Sequence, residues 1–283
     1  MRRRRMEEAV FKGLMVAAIA IVVGSLLSII ALVTWKGLPA LNLAMITQTP
    51  KGGYYLGKEG GILNAIIGSL YLGVGATTLA FAISLPVALY LQREYIGKDR
   101  FADFARLSLD ILWGVPSIVY GAFGFIIMLY LGIRASLLGG IMALTILEIP
   151  IMARAMDEVI RTVSTDLKDA SYALGATRLE TALRVVTRQA LPGILTAVLL
   201  AFGRGIGDAA SILFTAGYTD RIPTSLFDPV ASLPLAIFFQ LGTPFPEVQE
   251  RAYASAIILL AIVLLLSVAS RFLAARFAKH QVK

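Results

Sequence analysis

The chain contains no cysteine and only one histidine, His280, among its 283 residues. The lack of cysteine excludes disulfides, thiolate metal sites and cysteine nucleophiles. A single histidine, four residues from the end of the sequence, also excludes histidine-based metal centres and most histidine general-base chemistry. We therefore expect no metal site and no cofactor.

Charged residues are scarce, at 16% of the chain, whereas an average soluble domain has about 25%. Hydrophobic residues reach 58%, against roughly 45–50% in such a domain, and the mean hydropathy is +0.78. A water-soluble enzyme could not bury this much apolar surface, and a disordered chain would be far more polar. The composition indicates a membrane protein.

Six stretches approach or exceed the roughly 20 apolar residues that a membrane helix needs. They cover residues 14–35, 62–91, 107–131, 136–153, 190–215 and 252–272. The first follows four arginines, but it is longer than a signal-peptide core and lacks a small-x-small cleavage site, so we interpret it as a retained helix. We predict an all-α polytopic domain over residues 1–283, with its core at about 62–276.

Most of the 26 lysines and arginines fall on one side of the predicted membrane if the N-terminus is cytoplasmic. Such an excess on inner segments favours an even number of spans with both termini inside. The net charge of +8 is therefore explained by topology, and we expect a lipid bilayer and no nucleic acid as the partner of these charges.

The inner segment 154–188 is too polar to cross a bilayer, yet it carries helix signals. Asp166 is placed to cap a first helix, and Gly175 to end it in a left-handed conformation. Thr177–Glu180 fits the capping box that opens a second helix. We predict a helix, a glycine turn and a helix at the cytoplasmic surface.

Two interpretations of this helix pair remain open on the pattern alone. Small residues at Ala170, Ser171 and Ala173 would let another backbone approach closely, which suits a docking surface for a cytoplasmic protein. An amphipathic pair lying on lipid fits equally well.

The fifth span contains two charges, Arg204 and Asp208, which would share one face of a continuous helix. A charge at the bilayer centre costs at least about 2.5–3.5 kcal/mol, so such residues usually face protein or a wet pathway. Gly203 and Gly207 would permit close helix packing. One interpretation is an ion pair that joins two helices, and the other is an anion pathway, because a guanidinium suits phosphate oxygens.

Three further features matter less for function. Glu148 is expected to pair with a nearby lysine or arginine at the membrane interface, and Val230–Leu241 to form a short re-entrant or interfacial helix. The segment Gly52–Glu59 resembles a P-loop but has Glu59 where Ser or Thr must hold magnesium, so we expect no nucleotide site there.

Several motifs resemble known transport proteins. Asp169-Ala170-Ser171-x-x-x-Gly175, followed by Ala190–Ile194, resembles the EAA loop of ABC-transporter permeases, with Asp169 where that family usually has Glu. Four further blocks resemble the PstA family of phosphate ABC-transporter permeases. These blocks are Gly114–Gly121, Gly203–Asp208, Leu213–Gly217 and Pro223–Pro234.

The resemblance implies a six-helix permease of the type I (MetI-like) ABC-importer fold, located in the cell inner membrane. Such a permease is not itself an enzyme. It implies inorganic phosphate as substrate and three partners: a PstC-like permease, a PstB-like ATPase dimer and a PstS-like phosphate-binding protein. Arg204 and Asp208 would line the pathway, and the EAA-like residues in the loop at about 154–188 would contact the ATPase. Permeases for phosphonate or molybdate, and ion-coupled secondary transporters, are the alternatives.

Overall fold

The computed structural model describes residues 2–51, 59–92 and 100–278. The near-P-loop residues 52–58, the inner-loop residues Arg93 and Lys98, and His280 lie outside the described residues. The helices, in chain order, are α1 (Arg2–Gly37), α2 (Leu43–Thr47), α3 (Leu63–Tyr90), α4 (Arg100–Trp113), α5 (Ser117–Tyr130), α6 (Leu137–Arg161), α7 (Thr165–Ala173), α8 (Arg178–Ile206), α9 (Leu233–Leu241) and α10 (Pro246–Ala278). Two short strands, β1 (Pro50–Lys51) and β2 (Glu59–Gly60), pair antiparallel.

Within the described ranges, five helices are long and apolar enough to cross a membrane: α1, α3, α6, α8 and α10. The bent pair α4 and α5 makes six if it counts as one span. The prediction of an all-helical polytopic protein is therefore confirmed.

The third predicted span is not one straight helix. The chain turns by 98° between α4 and α5, at Gly114–Pro116. Pro116 has no N–H to continue a helix and disfavours helical geometry at Val115, so the break falls where sterics require it. The Tyr120 hydroxyl donates to the Leu112 carbonyl at 2.7 Å and fixes the corner.

The core lies where α3, α6 and α8 pack together. Their buried apolar side chains include Leu72, Met152, Met156, Ile194 and Ala201, each at most 2% exposed. In contrast, the most apolar stretch of α1 is 0% buried within the chain. Its Gly37 lies against the backbone of Tyr253 and Ala254 in α10, so α1 joins the bundle through α10.

The fifth predicted span ends early. Helix α8 stops at Ile206 and not near residue 215, and the chain continues through turns into a loop. This segment is hydrogen-bonded to the N-terminus of α6. The N–H of Ser136, the residue before α6, donates to the Thr215 carbonyl, and the Leu137 N–H donates to the Asp228 carbonyl. Non-helical backbone at membrane depth must be buried in protein or line a cavity, and these bonds satisfy it.

The predicted short helix of 230–241 is present as α9. The Ser232 side chain accepts from the Leu235 N–H and caps it, and Leu233, Leu235 and Ala236 are 0% exposed. A capped, buried helix of nine residues is too short to span a bilayer, so α9 packs inside the protein.

Candidate functional site

The turn between α7 and α8 has the predicted form. Gly175 adopts φ +86°, and its N–H donates to the Tyr172 carbonyl while the Ala176 N–H donates to that of Ser171. Such a left-handed residue after a helix favours glycine. Thr177 and Glu180 form the complete capping box that opens α8. We call residues 165–180 the knob.

One detail of the knob prediction was wrong. The residue that caps α7 is Ser164, whose side chain accepts from the Asp166 N–H at 3.2 Å, and Asp166 lies in the first turn. Both residue types cap helices well, and the two-residue shift is a boundary error that sequence reasoning commonly makes.

The tip of the knob is open and partly apolar. Asp169, Ala170 and Gly175 are exposed, Ser171 is half-buried, and the Leu174 side chain is 90% exposed. An apolar tip on a short rigid turn is a surface that suits either protein or lipid contact.

The knob is joined to the rest of the molecule by buried groups. The Ser171 and Thr181 hydroxyls lie 2.9 Å apart, which ties α7 to the start of α8, and Thr181 is 1% exposed. Lys168 is buried and lines a small space with Leu89 and Gln92 at the end of α3. These contacts join α7 to the start of α8.

Helix α8 connects the knob directly to the region of Arg204. The sequence prediction missed this connection because it treats the second inner helix and the fifth span as separate helices. Helix α8 runs unbroken over 29 residues, Arg178–Ile206, with a π-helical stretch at Thr181–Val186. Arg178 and Arg204 are therefore about 39 Å apart along the axis. The helix crosses α6 closely at Gly193, where a Cβ atom would lie 2.1 Å from the Val159 side chain.

Arg204 lies near the far end of α8 and is exposed on the surface of the chain. Within the described residues, no hydrogen bond or ion pair holds its guanidinium. A Cβ atom at Gly203 would meet nothing within 4 Å, and one at Gly207 would meet only carbonyls of its own helix turn. We call Gly203, Arg204 and Gly207 the open face; in the described parts of the chain, no side chain packs against these two glycines.

Asp208 does not share a helix face with Arg204, so that prediction was wrong. The helix ends two residues before Asp208, and its carboxylate accepts from the N–H and the hydroxyl of Ser211. Three glycines in five residues weaken the helix here, because each leaves the backbone freer than any other residue does. Asp208 therefore stabilises the turn that follows α8.

Glu148 also differs from its prediction. It is 0% exposed in the middle of the bundle, and its Oε2 accepts from the Thr77 hydroxyl of α3 at 2.8 Å. The expected pairing with lysine or arginine is not seen in the part of the chain that is described. Its Oε1 has no hydrogen-bond partner there and faces Gly205 of α8, where a Cβ atom would be 2.0 Å away.

A second buried carboxylate, Asp157, was missed by sequence reasoning. It is fully buried near the knob end of the bundle and accepts from Arg106 at 2.9 Å, Gln92 at 3.0 Å and Arg154 at 3.3 Å. Arg154 also pairs with Asp110 at 2.7 Å. This cluster fastens α4 and the end of α3 to α6; only the i,i+3 spacing of Arg154 and Asp157 was visible in the sequence.

The loop after α8 contains a third positioned carboxylate. Asp228 accepts from the backbone N–H and the hydroxyl of Thr224 and from the backbone N–H of Ser225, and these bonds lower its pKa below the usual range. The loop borders a cavity of about 490 Å³ that Arg221 and Asp228 help to line.

The arrangement of helices matches a solved importer. The inward-facing MetNI methionine ABC transporter aligns with a TM-score of 0.62, covering 76% of this chain and 95% of that one, at 19% sequence identity. At this identity the match shows the fold alone, which is the MetI-type permease fold of ABC importers.

Residues 84–282 match the family described as the binding-protein-dependent transport system inner membrane component. This class consists of multi-pass inner-membrane transport subunits, which are not enzymes and work with an ATPase and a binding protein. The phosphate transport system permease protein PstA of Haemophilus influenzae is 35% identical over 237 residues, covering 83% of this chain and 82% of the relative. PstA of Yersinia pestis is 34% identical over 245 residues, with 87% and 82% covered. The chain belongs to the PstA family.

Proposed function

We propose that this chain is one of two permease subunits of an ATP-driven importer for inorganic phosphate. The observation that carries the proposal is the exposed guanidinium of Arg204 on a membrane-crossing helix; the guanidinium has no hydrogen bond or ion pair among the residues that the structure describes. A charge that faces lipid is costly, by about 2.5–3.5 kcal/mol at the bilayer centre, so this face is suited to a second subunit with a polar pathway between the two. The name of the relatives, phosphate transport permease, supports the choice of anion.

The open face is suited to a tetrahedral oxyanion. A guanidinium presents planar donors that can bind two oxygens at once, and charge-assisted bonds of this kind are about twice as strong as neutral ones. Gly203 and Gly207 add no bulk on either side of Arg204, which leaves room for the anion and for a PstC-like permease across from it. Asp208 is the second proposed pathway residue; it lies at the turn where α8 ends, and the Ser211 N–H donates to its carboxylate.

The knob is the surface that contacts the ATPase. Asp169, Ala170, Ser171 and Gly175 lie on or beside its exposed tip, and a PstB-like ATPase dimer would receive that tip in a groove. The basic residues of α6, α7 and α8 at this end favour the cytoplasmic side, and this supports the proposal that both termini are inside. A PstS-like binding protein delivers phosphate from the opposite side.

The proposal is tested by uptake of labelled phosphate into vesicles that contain the assembled importer. Arg204→Gln keeps a polar side chain, which is shorter, and loses the charge and the paired donors. Loss of two charge-assisted bonds, each worth about 1.5–3 kcal/mol, lowers uptake at least about a hundredfold. Arg134→Gln, at an exposed arginine in the loop between α5 and α6, is the matched control and keeps normal uptake.

Normal uptake by Arg204→Gln in a correctly assembled complex would refute the pathway role. Competition by unlabelled phosphate, phosphonate, molybdate and sulfate defines the oxyanion. If molybdate competes better than phosphate, the chain is still an importer subunit, but phosphate is refuted as its substrate.

A further inference from the structure

Glu148 occupies the point where three spans meet, and none of the proposed steps uses it. Its carboxyl group is held from one side by the Thr77 hydroxyl of α3 and abuts the bare Cα of Gly205 on α8 from the other. It is 0% exposed, and its Oε1 has no hydrogen-bond partner among the described residues. A Cα–H group against a carboxyl oxygen is a weak but directional contact.

The contact controls the direction of the adjacent residue. Gly205 follows Arg204 by one position, so the two point about 100° apart around the axis of α8. One turn earlier, the Phe202 ring fills the space beside Gly73 of α3. The side of α8 that holds Phe202 and Gly205 is buried, which leaves Arg204 on the open side of the helix.

Stability alone does not account for a carboxyl group here. A well-packed apolar residue of similar volume often serves as well as a buried polar group or better, because no polar atom then loses water. What the hydrogen bond from Thr77 adds is a fixed orientation, since it holds the Glu148 side chain in one conformation against Gly205. A fixed contact at this point sets the distance between α8 and α6 and the rotation of α8 about its own axis.

We propose that Glu148 is a positioning residue for Arg204: through its contact with Gly205 it seats α8 against α3 and α6 and directs the guanidinium to the open face. The proposal rests on the proposed function for its phosphate measurements only. The seating of α8 can be measured without any substrate.

The first test compares Glu148→Ala, Gly205→Ala and the double variant in the reconstituted importer. Gly205→Ala places a methyl group into the Glu148 carboxyl, and Glu148→Ala removes the contact, so each raises the KM for phosphate by roughly tenfold through misplaced charge-assisted bonds. In the double variant the new methyl group fills the space that the carboxyl group left, and the KM falls back toward that of the unsubstituted importer. Gly24→Ala in α1, where a Cβ atom meets nothing within 4 Å, is the control.

A purely structural role predicts a different pattern, namely less assembled complex with an unchanged KM, and that result would overturn the proposal. If an alanine variant does not assemble, Glu148→Asp replaces it, because it retracts the carboxyl group by one methylene and keeps its polarity.

The second test needs no phosphate. The chain has no cysteine, so Gly203→Cys introduces a single thiol on the open face, at a position with free space around it. Its rate of modification by a charged thiol reagent changes at least about threefold when Glu148→Ala or Gly205→Ala is added, because the exposure of the thiol controls its reactivity. Equal rates in all backgrounds would refute the seating of α8, whereas altered rates together with normal uptake by Arg204→Gln would refute the phosphate pathway alone.

Discussion

Replacing Asp157 by asparagine tests the ion-pair cluster that fastens α4 and the end of α3 to α6. The carboxylate is 0% exposed and receives bonds from Arg106 and Arg154, whose side chains are only 15% and 19% exposed. Asparagine keeps the size of the side chain and its bond to Gln92, but it leaves both guanidinium groups without their shared countercharge.

The magnitude follows from the burial of the partners. Removing one member of a buried ion pair costs about 3–5 kcal/mol, because the remaining charge stays buried. Asp110 and Glu158 still pair with Arg154, so we expect the lower end of this range, about 3 kcal/mol. Glu158→Gln is the matched control: it also breaks a 3.3 Å pair with Arg154, but Glu158 is 66% exposed. An exposed pair contributes about 0–1 kcal/mol.

Thermal unfolding of the purified chain in detergent, followed by the fluorescence of its two tryptophans, measures the difference. We expect the midpoint to fall by about 5–10 °C for Asp157→Asn and by no more than about 2 °C for Glu158→Gln. Equal shifts in the two variants would refute the reasoning, since they would show that Asp157 is no more important than an exposed carboxylate.

Two further predictions concern the knob and the loop after α8. Gly175→Val forces a β-branched residue into a left-handed conformation at an exposed position. We expect binding of the ATPase partner in a pull-down to fall at least about tenfold, while the spans keep their helicity. Undiminished binding would exclude the knob as the contact. Because the folded pKa of Asp228 is lowered by the Thr224 and Ser225 donors, this turn is stabilised above the unfolded pKa of about 3.9 and loses that stability as the pH falls further, through the folded pKa. Amide hydrogen exchange across 224–228, corrected for its intrinsic pH dependence, detects this loss in the unsubstituted chain and not in Asp228→Asn; the same pH dependence in both would contradict it.

Features set by neighbours in the chain could be predicted. The capping box at Thr177 and Glu180 involves residues three apart, and the left-handed Gly175 follows from its place after a helix. The membrane spans were predicted for a related reason, because length and apolar content decide whether a helix crosses a bilayer.

Features set by distant contacts could not be predicted. Thr77 and Glu148 are 71 residues apart, and nothing in the sequence near Glu148 indicates that its partner is a hydroxyl group and not a cation. The corner at Gly114–Pro116 had a local signal, but the apolar run across it was stronger. The end of α8 at Ile206 depends on two effects: three glycines weaken the helix, and the loop that follows gains contacts by packing. Only the tertiary structure decides the balance between them.

The close crossing of α8 and α6 at Gly193 divides α8 into unequal arms. The arm toward the knob is about 22 Å long and the arm toward Arg204 about 16 Å. A tilt of about 5° around this crossing would displace the knob end by about 2 Å and the guanidinium by about 1.4 Å in the opposite sense. Such a displacement stretches a hydrogen bond of about 2.9 Å beyond 4 Å, where it no longer exists. A slight rotation of α8 about this crossing would therefore be enough to break the bonds between the guanidinium and an anion bound to it.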